Sequence, residues 1–322
     1  RNVSYTMSMM PVIDSLGAWI GEATLHEGLV DMQRQKIHAA SLSVDSVTAT
    51  YLTPSAAYLA EHNETASPDS TEAEYTSSKP WTVTADTVRL NGGDALYAMR
   101  DAKPQPGLDM NYLQASDINI SVDSFYNRAQ SITVPLRNLS ATERCGLSIT
   151  ANGTFKMDST AMYADNFIIS TILSTIRLDA CMGLGDLMSD KTLPLRLLAK
   201  ANIAMPDIKT ALPSVKPMLK DLGRASELRL NCNIDGTTAA IDVNDIALEL
   251  PRHLRMSARG SVKNPMDFKN IGGSIDIVGS IINVDFIKPT VLEAKMAKEL
   301  NIPRTTIRGR INYSPNLASG KI

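Results

Sequence analysis

Asp242 and Asp245 have the right chemistry for a pair of working carboxylates. Glycoside hydrolysis uses two such groups, one on either side of the scissile bond. Three positions apart on a strand, however, they share a face only if an extra residue intervenes, because side chains alternate with period two. The other chemically capable residues are scattered. Cys145, Cys181 and Cys232 are far apart, with no CxxC motif and no even-numbered disulfide framework. Cys232 falls in the alternating run Leu228, Leu230, Cys232, Ile234, which suits a small buried side chain. His26, His38, His62 and His253 have no cysteine or acidic partner at ligand spacing and read as surface or capping residues. "GLGDL" at 183–187 lacks the third glycine and the βαβ setting of a dinucleotide site, and there is no GxSxG, HExxH or P-loop. The expectation is a protein that is not an enzyme and holds no cofactor or metal.

The elements that carry these residues are mostly strands. Period-two runs at Leu254, Met256, Ala258, at Ile275, Ile277, at Ile282, Val284, Phe286, and at Ile307, Gly309, Ile311, Tyr313 each give one apolar face. Asp235-Gly236 between two such runs predicts a tight hairpin turn. Residues 54–79 carry Glu61, Glu64, Asp69, Glu72 and Glu74 among Ser, Thr, Ala and Pro, which predicts a mobile acidic loop. Two short helices are expected. One lies at 206–223, broken by Pro213 and Pro217 and ended at Gly223. The other, at 289–300, stacks Leu292, Met296 and Leu300 on one face before Pro303.

Several strands break step. In "LQASDINISVDS", residues 113–124, Leu113 and Ala115 alternate, Asp117 is polar, and Ile118, Ile120 and Val122 resume in the opposite phase. The same order of apolar, apolar, polar, apolar, apolar begins at Ile37, Val83, Met162 and Ile241. An extra residue in a strand is a β-bulge, which bends the strand and returns later side chains to the original face. On that reading Asp117 faces away, while one apolar surface collects Leu42, Val44, Val83, Val88 and Leu90, then Leu113, Ile118, Ile120 and Val122. Phe167, Ile169, Ile241, Val243, Ile246 and Leu248 continue it.

Composition narrows what that surface meets. With 32 basic and 34 acidic residues the net charge is −2, which leaves no electrostatic footprint for nucleic acid. Only 5 % of residues are aromatic, too few for the interfacial girdles of a membrane barrel. No apolar run nears the roughly 20 residues of a spanning helix, so with its start at Arg1 the chain reads as a processed or excised piece whose membrane anchor lies elsewhere. The expected fold is all-β: a long, bulged and twisted, mostly antiparallel sheet folded into a hydrophobic groove, continuous over residues 1–322.

The run "LSATERCGLSI" at 139–149, with Gly153, Phe155 and "MYADNFIIST" after it, resembles the TamB branch of the AsmA-like (translocation and assembly module) family in its Bacteroidota form. "PWTVTADTVRLNGGDALY" at 80–97 is similar to that family's recurring strand pair, and "MPDIKTALPSVKPML" to its short inter-strand helix. The resemblance implies a taco-shaped sheet that crosses the periplasm from an inner-membrane anchor. It also implies phospholipid as cargo, with outer-membrane barrel proteins as further partners, and no catalytic residues. A scaffold that pairs its sheet edge with unfolded barrel strands is the alternative role.

Overall fold

The computed structural model describes residues 3–9, 14–54, 80–185, 190, 192–220, 222–223, 226–267, 269–283, 303–314 and 317–321. The fold is all-β and mostly antiparallel. Contacts divide it into two compact units, Arg1–Thr150 and Ala151–Ile322, within each of which the strands lie in chain order.

The first unit holds β1 (Val3–Met9), β2 (Asp14–Asp31), β3 (Lys36–Thr53), β4 (Thr82–Met99), β5 (Tyr112–Arg128) and β6 (Ser131–Glu143). All its neighbouring pairs are antiparallel except β3 with β4, which run parallel. A parallel pair needs a connection that travels back along the strand, and the long stretch between Thr53 and Thr82 supplies the length. Nearly all of the acidic segment, 55–79, lies outside the described residues.

Two irregular rows cross this unit, and they explain the broken alternation. The ladders skip Glu27 against Ala40 and Ala40 against Asp86; Asp86 is skipped in turn against Ser124. Glu27 and Ser124 have φ of 50° and 55°. Six residues further along β3 and β4 a second row passes through Gly21, Ser46 and Gly92 to Asp117, with φ of 57°, 67° and 53° at the last three. At both rows the apolar residue steps by three instead of two on all four strands: Leu25 to Gly28, Ala39 to Leu42, Ala85 to Val88 and Val122 to Phe125 at the first. The single-strand bulges expected in the runs that begin at Ile37 and Val83 are therefore corrected. Neither run shifts register in the ladders that β3 makes with β2 and β4, because neighbouring strands break together and the offset cancels. At the second row β4 and β5 each carry one extra residue, and the two compensate on either side of Gly93. Asn119 fastens this pair, its amide donating to the Asp117 carbonyl at 2.9 Å and accepting from the Gly92 N–H at 3.1 Å.

The second unit follows β7 (Ser148–Met157), which straddles the boundary, with β8 (Ala161–Ser170), β9 (Thr175–Gly183), β10 (Pro194–Ala204), β11 (Glu227–Thr237), β12 (Ala240–Leu250), β13 (Leu254–Lys263), β14 (Gly272–Ile281), β15 (Thr305–Ser314) and β16 (Leu317–Lys321). Here the bulges are simple. β8 carries one extra residue between Ala164 and Phe167, with Asn166 at φ 50° and its N–H bonded to the Asp179 carboxylate at 2.7 Å. β12 carries another between Val243 and Ile246.

Two strand assignments differ from expectation. Asp235 and Gly236 are paired inside the β11–β12 ladder, and the turn falls at Thr238-Ala239. Glycine is needed at 236 for close approach: at φ 150° a Cβ would lie 2.3 Å from the Ala240 carbonyl oxygen. Ile282 lies just past the end of β14, while Val284, Phe286 and the 289–300 segment fall outside the described residues.

Helix α1 (Met205–Ala211) is followed by a 3-10 turn at Pro213–Val215, so the segment breaks at Pro213 as expected but its helical part ends short of the expected Gly223. Pro206 starts the helix where its missing N–H is harmless. The hydroxyls of Thr171 and Ser174, on the β8–β9 turn, donate to the Asp207 carboxylate, the second at 2.5 Å. Beneath the helix Met205, Leu222 and Leu250 form a small packed core with Ile208, Leu219, Leu228 and Leu254.

Candidate functional site

In the second unit, register converts alternation into a surface. From β8 to β15 four rows of small or apolar side chains run unbroken across eight strands. One passes from Phe167 through Leu178, Ala199 and Cys232 to Ile246, Ala258, Ile277 and Gly309. The next goes from Ile169 through Ile176, Ala201 and Leu230 to Leu248, Met256, Gly279 and Ile307. Ile241 and Val243 belong to the remaining two. None of the four rows contains a charged side chain. The bulges maintain the surface: without the extra residue in β12, Ile246 and Leu248 would point to the other side.

At about 4.8 Å between strands and about 6.8 Å between same-face residues, the rows cover roughly 34 by 20 Å, or about 700 Å². That exceeds the few hundred Å² that a monomer ordinarily leaves uncovered. Met182, Met256, Ile307, Ile311 and Tyr313, all on this face, remain 38–47 % exposed.

The first unit has corresponding rows and a measurable hollow. Leu42, Val83, Val88 and Val122 line a cavity of about 340 Å³ together with Leu25, Ile37, Ala39, Ala85, Phe125 and Val134, and Thr84 is its one polar lining residue. Ile37, Ala39 and Leu42 reach it together only because of the three-residue step at the first row. Val44, Leu90 and Ile120 form the next row beside Ala23 and Leu139. Ile118 pairs with Gly93 beyond the second irregular row, and Leu113 joins Tyr51 and Tyr97, whose rings stack at 5.8 Å. None of the fifteen residues expected on the apolar surface is exposed, whereas Asp117 is.

Sequence reasoning overlooked Leu25 and Phe125, and it read Ala39 and Ala85 as inward positions of the broken-step runs without placing them on the lining. Leu25 lies on a strand where glycine follows the break, and Phe125 follows a break that the alternation alone placed only at Asp117.

Among the described residues, those with chemical potential are engaged separately. The β12 bulge does bring Asp242 and Asp245 to one face, but Asp245 accepts from Asn231 at 2.6 Å and lies 3.4 Å from Arg259. His38 is held by the Thr84 hydroxyl at 3.0 Å. Burial pushes the Cys181 and Cys232 thiols above their ordinary value, away from the nucleophilic thiolate. Among the described residues no cluster of His, Cys, Asp and Glu could hold a metal.

No family model, no curated protein and no solved structure matches this chain.

Proposed function

We propose that the chain is a segment of a lipid-transfer protein that shields the acyl chains of phospholipid along its apolar rows. The supporting observation is the charge-free surface of the second unit, repeated over eight strands with the same chemistry at each, on which Met256, Ile307 and Ile311 remain exposed. Moving a lipid through water exposes its chains at about 0.8 kcal/mol per methylene, so ten methylenes cost about 8 kcal/mol. Aliphatic contacts remove that cost without fixing a position, since they are non-directional and equivalent from strand to strand. A bilayer core is about 30 Å thick, so one acyl chain reaches about 15 Å, and a surface about 34 Å long accepts chains side by side. The resemblance to the TamB branch supports the same role. On that resemblance we assign the segment to the periplasm, between an inner-membrane anchor outside this sequence and the outer membrane.

Mass spectrometry of lipid extracted from the purified protein tests the proposal. Stoichiometric phospholipid is expected, and replacing Ile120 or Ile246 with arginine should remove most of it while strand content by circular dichroism persists. Lipid-free protein, or an Ile246→Arg protein that keeps its lipid, would overturn the reading.

A further inference from the structure

The opposite face of the second unit holds a feature that acyl chains do not explain. A cavity of about 600 Å³ spans β9 to β13, lined by Arg177, Lys200, Arg229 and Arg255 with the amides of Asn202 and Asn231. These residues alternate with the apolar rows, so their side chains leave the sheet on its other side. Glu249 is the one carboxylate in the lining, and it is already engaged. It pairs across the strands with both Arg229 and Arg255 and accepts from Arg255 at 2.7 Å. Arg229 also binds Glu227 at 2.5 Å.

Arg177 and Lys200 are different. They stand directly opposite each other on β9 and β10, a like-charge arrangement that destabilises a sheet. Their row continues to Ile168 on one side and Asn231 on the other, neither of which offers an anion. Among the described residues no carboxylate lies within salt-bridge distance of either. Elsewhere on this face opposite charges meet, as Arg310 meets Asp276 at 2.6 Å. The like-charged pair Asp235 and Asp242 has Arg196 opposite Asp235 on the next strand.

We propose that this cavity is an oxyanion-binding site, centred on Arg177 and Lys200, for a ligand that carries phosphate or clustered carboxylates. The cations supply charge-assisted bonds and Asn202 adds a neutral donor beside them, while Asn231 already donates to Asp245 at 2.6 Å. The ligand replaces the missing carboxylate of the row. The site is independent of the lipid proposal, since it lies on the other face.

Isothermal titration with inorganic pyrophosphate and with citrate tests the site, and saturable binding is expected for at least one. Lys200→Glu puts an acid opposite Arg177 and should act in two directions at once. The ligand-free protein should melt at a higher temperature, and affinity should fall by at least about tenfold, the loss of one charged bond. Co-sedimentation with phosphatidylglycerol vesicles, but not phosphatidylcholine vesicles, would identify a lipid head group as the source of the anion if Arg177→Ala abolished it. Pyrophosphate binding without vesicle binding would identify a soluble anion. Absence of binding to every probe overturns the proposal, as does affinity unchanged in Lys200→Glu. A Lys200→Glu protein no more stable than the parent removes its electrostatic premise.

Discussion

Asp158 shows how single residues hold the turns of this sheet. Its carboxylate accepts from the Thr160 hydroxyl at 2.6 Å, the Thr160 N–H at 2.7 Å and the Ala161 N–H at 3.0 Å, closing the link between β7 and β8. The Thr160 hydroxyl foremost, then the two N–H groups, holds the carboxyl below its usual value of 3.8. A depressed folded-state pKa contributes stability above the unfolded value and loses it as pH falls through the folded one. Asp158→Ala should therefore lower the urea midpoint at pH 6, and the gap from the parent should close as the pH is brought below about 3.8. A gap that stayed constant to pH 2 would contradict this role. Glycine makes a different contribution. At Gly260 (φ 155°) a Cβ would sit 2.0 Å from the Ser274 carbonyl oxygen, so the side chain is missing for steric reasons that no periodic pattern reveals.

Among the elements, the two irregular rows of the first unit are the main finding. One strand with an extra residue bends alone, but four strands that break in the same row bend together along a line. Positive φ is the cost, and it falls on Glu27, Ser46, Gly92, Asp117 and Ser124. A β-branched side chain tolerates that backbone poorly, so Asp117→Val should destabilise the protein by about 1–2 kcal/mol in urea unfolding, while Asp117→Gly should be close to neutral. Equal loss in both variants would mean that the Asp117 side chain, and not its backbone, sustains the bend. The same logic explains what the sequence disclosed. Steps beginning at Ile37, Val83, Met162 and Ile241 are visible because apolar residues, alanine included, mark both sides of the break. The matching break after Leu90 is concealed by Gly93. Asp235-Gly236 suggested a turn because glycine there has a second use, the close approach of two paired strands.

For the molecule as a whole, an apolar surface of this size with exposed side chains among the described residues carries a thermodynamic consequence. If lipid occupies it, the occupied protein is stabilised by mass action, by about 2.7 kcal/mol when lipid is at a hundredfold excess over its dissociation constant. Detergent-stripped protein should then melt at a lower temperature, bind more of an apolar dye, and recover both properties when phospholipid is restored. No change in melting on stripping would count against the lipid-shielding role.

The amino-acid order alone determined which side chains share a face wherever apolar residues mark both sides of a break, because that depends on local backbone geometry. It also determined the all-β class, the apolar character of that face and the break in the helical segment at Pro213. Only the tertiary structure decided that the breaks align across β2 to β5, that the apolar rows run continuously from β8 to β15, and that Arg177 faces Lys200. Each of these depends on register between strands. Register is fixed by pairing among residues distant in sequence, including a parallel pair joined across some thirty positions, and period-two alternation within one strand says nothing about the strand beside it.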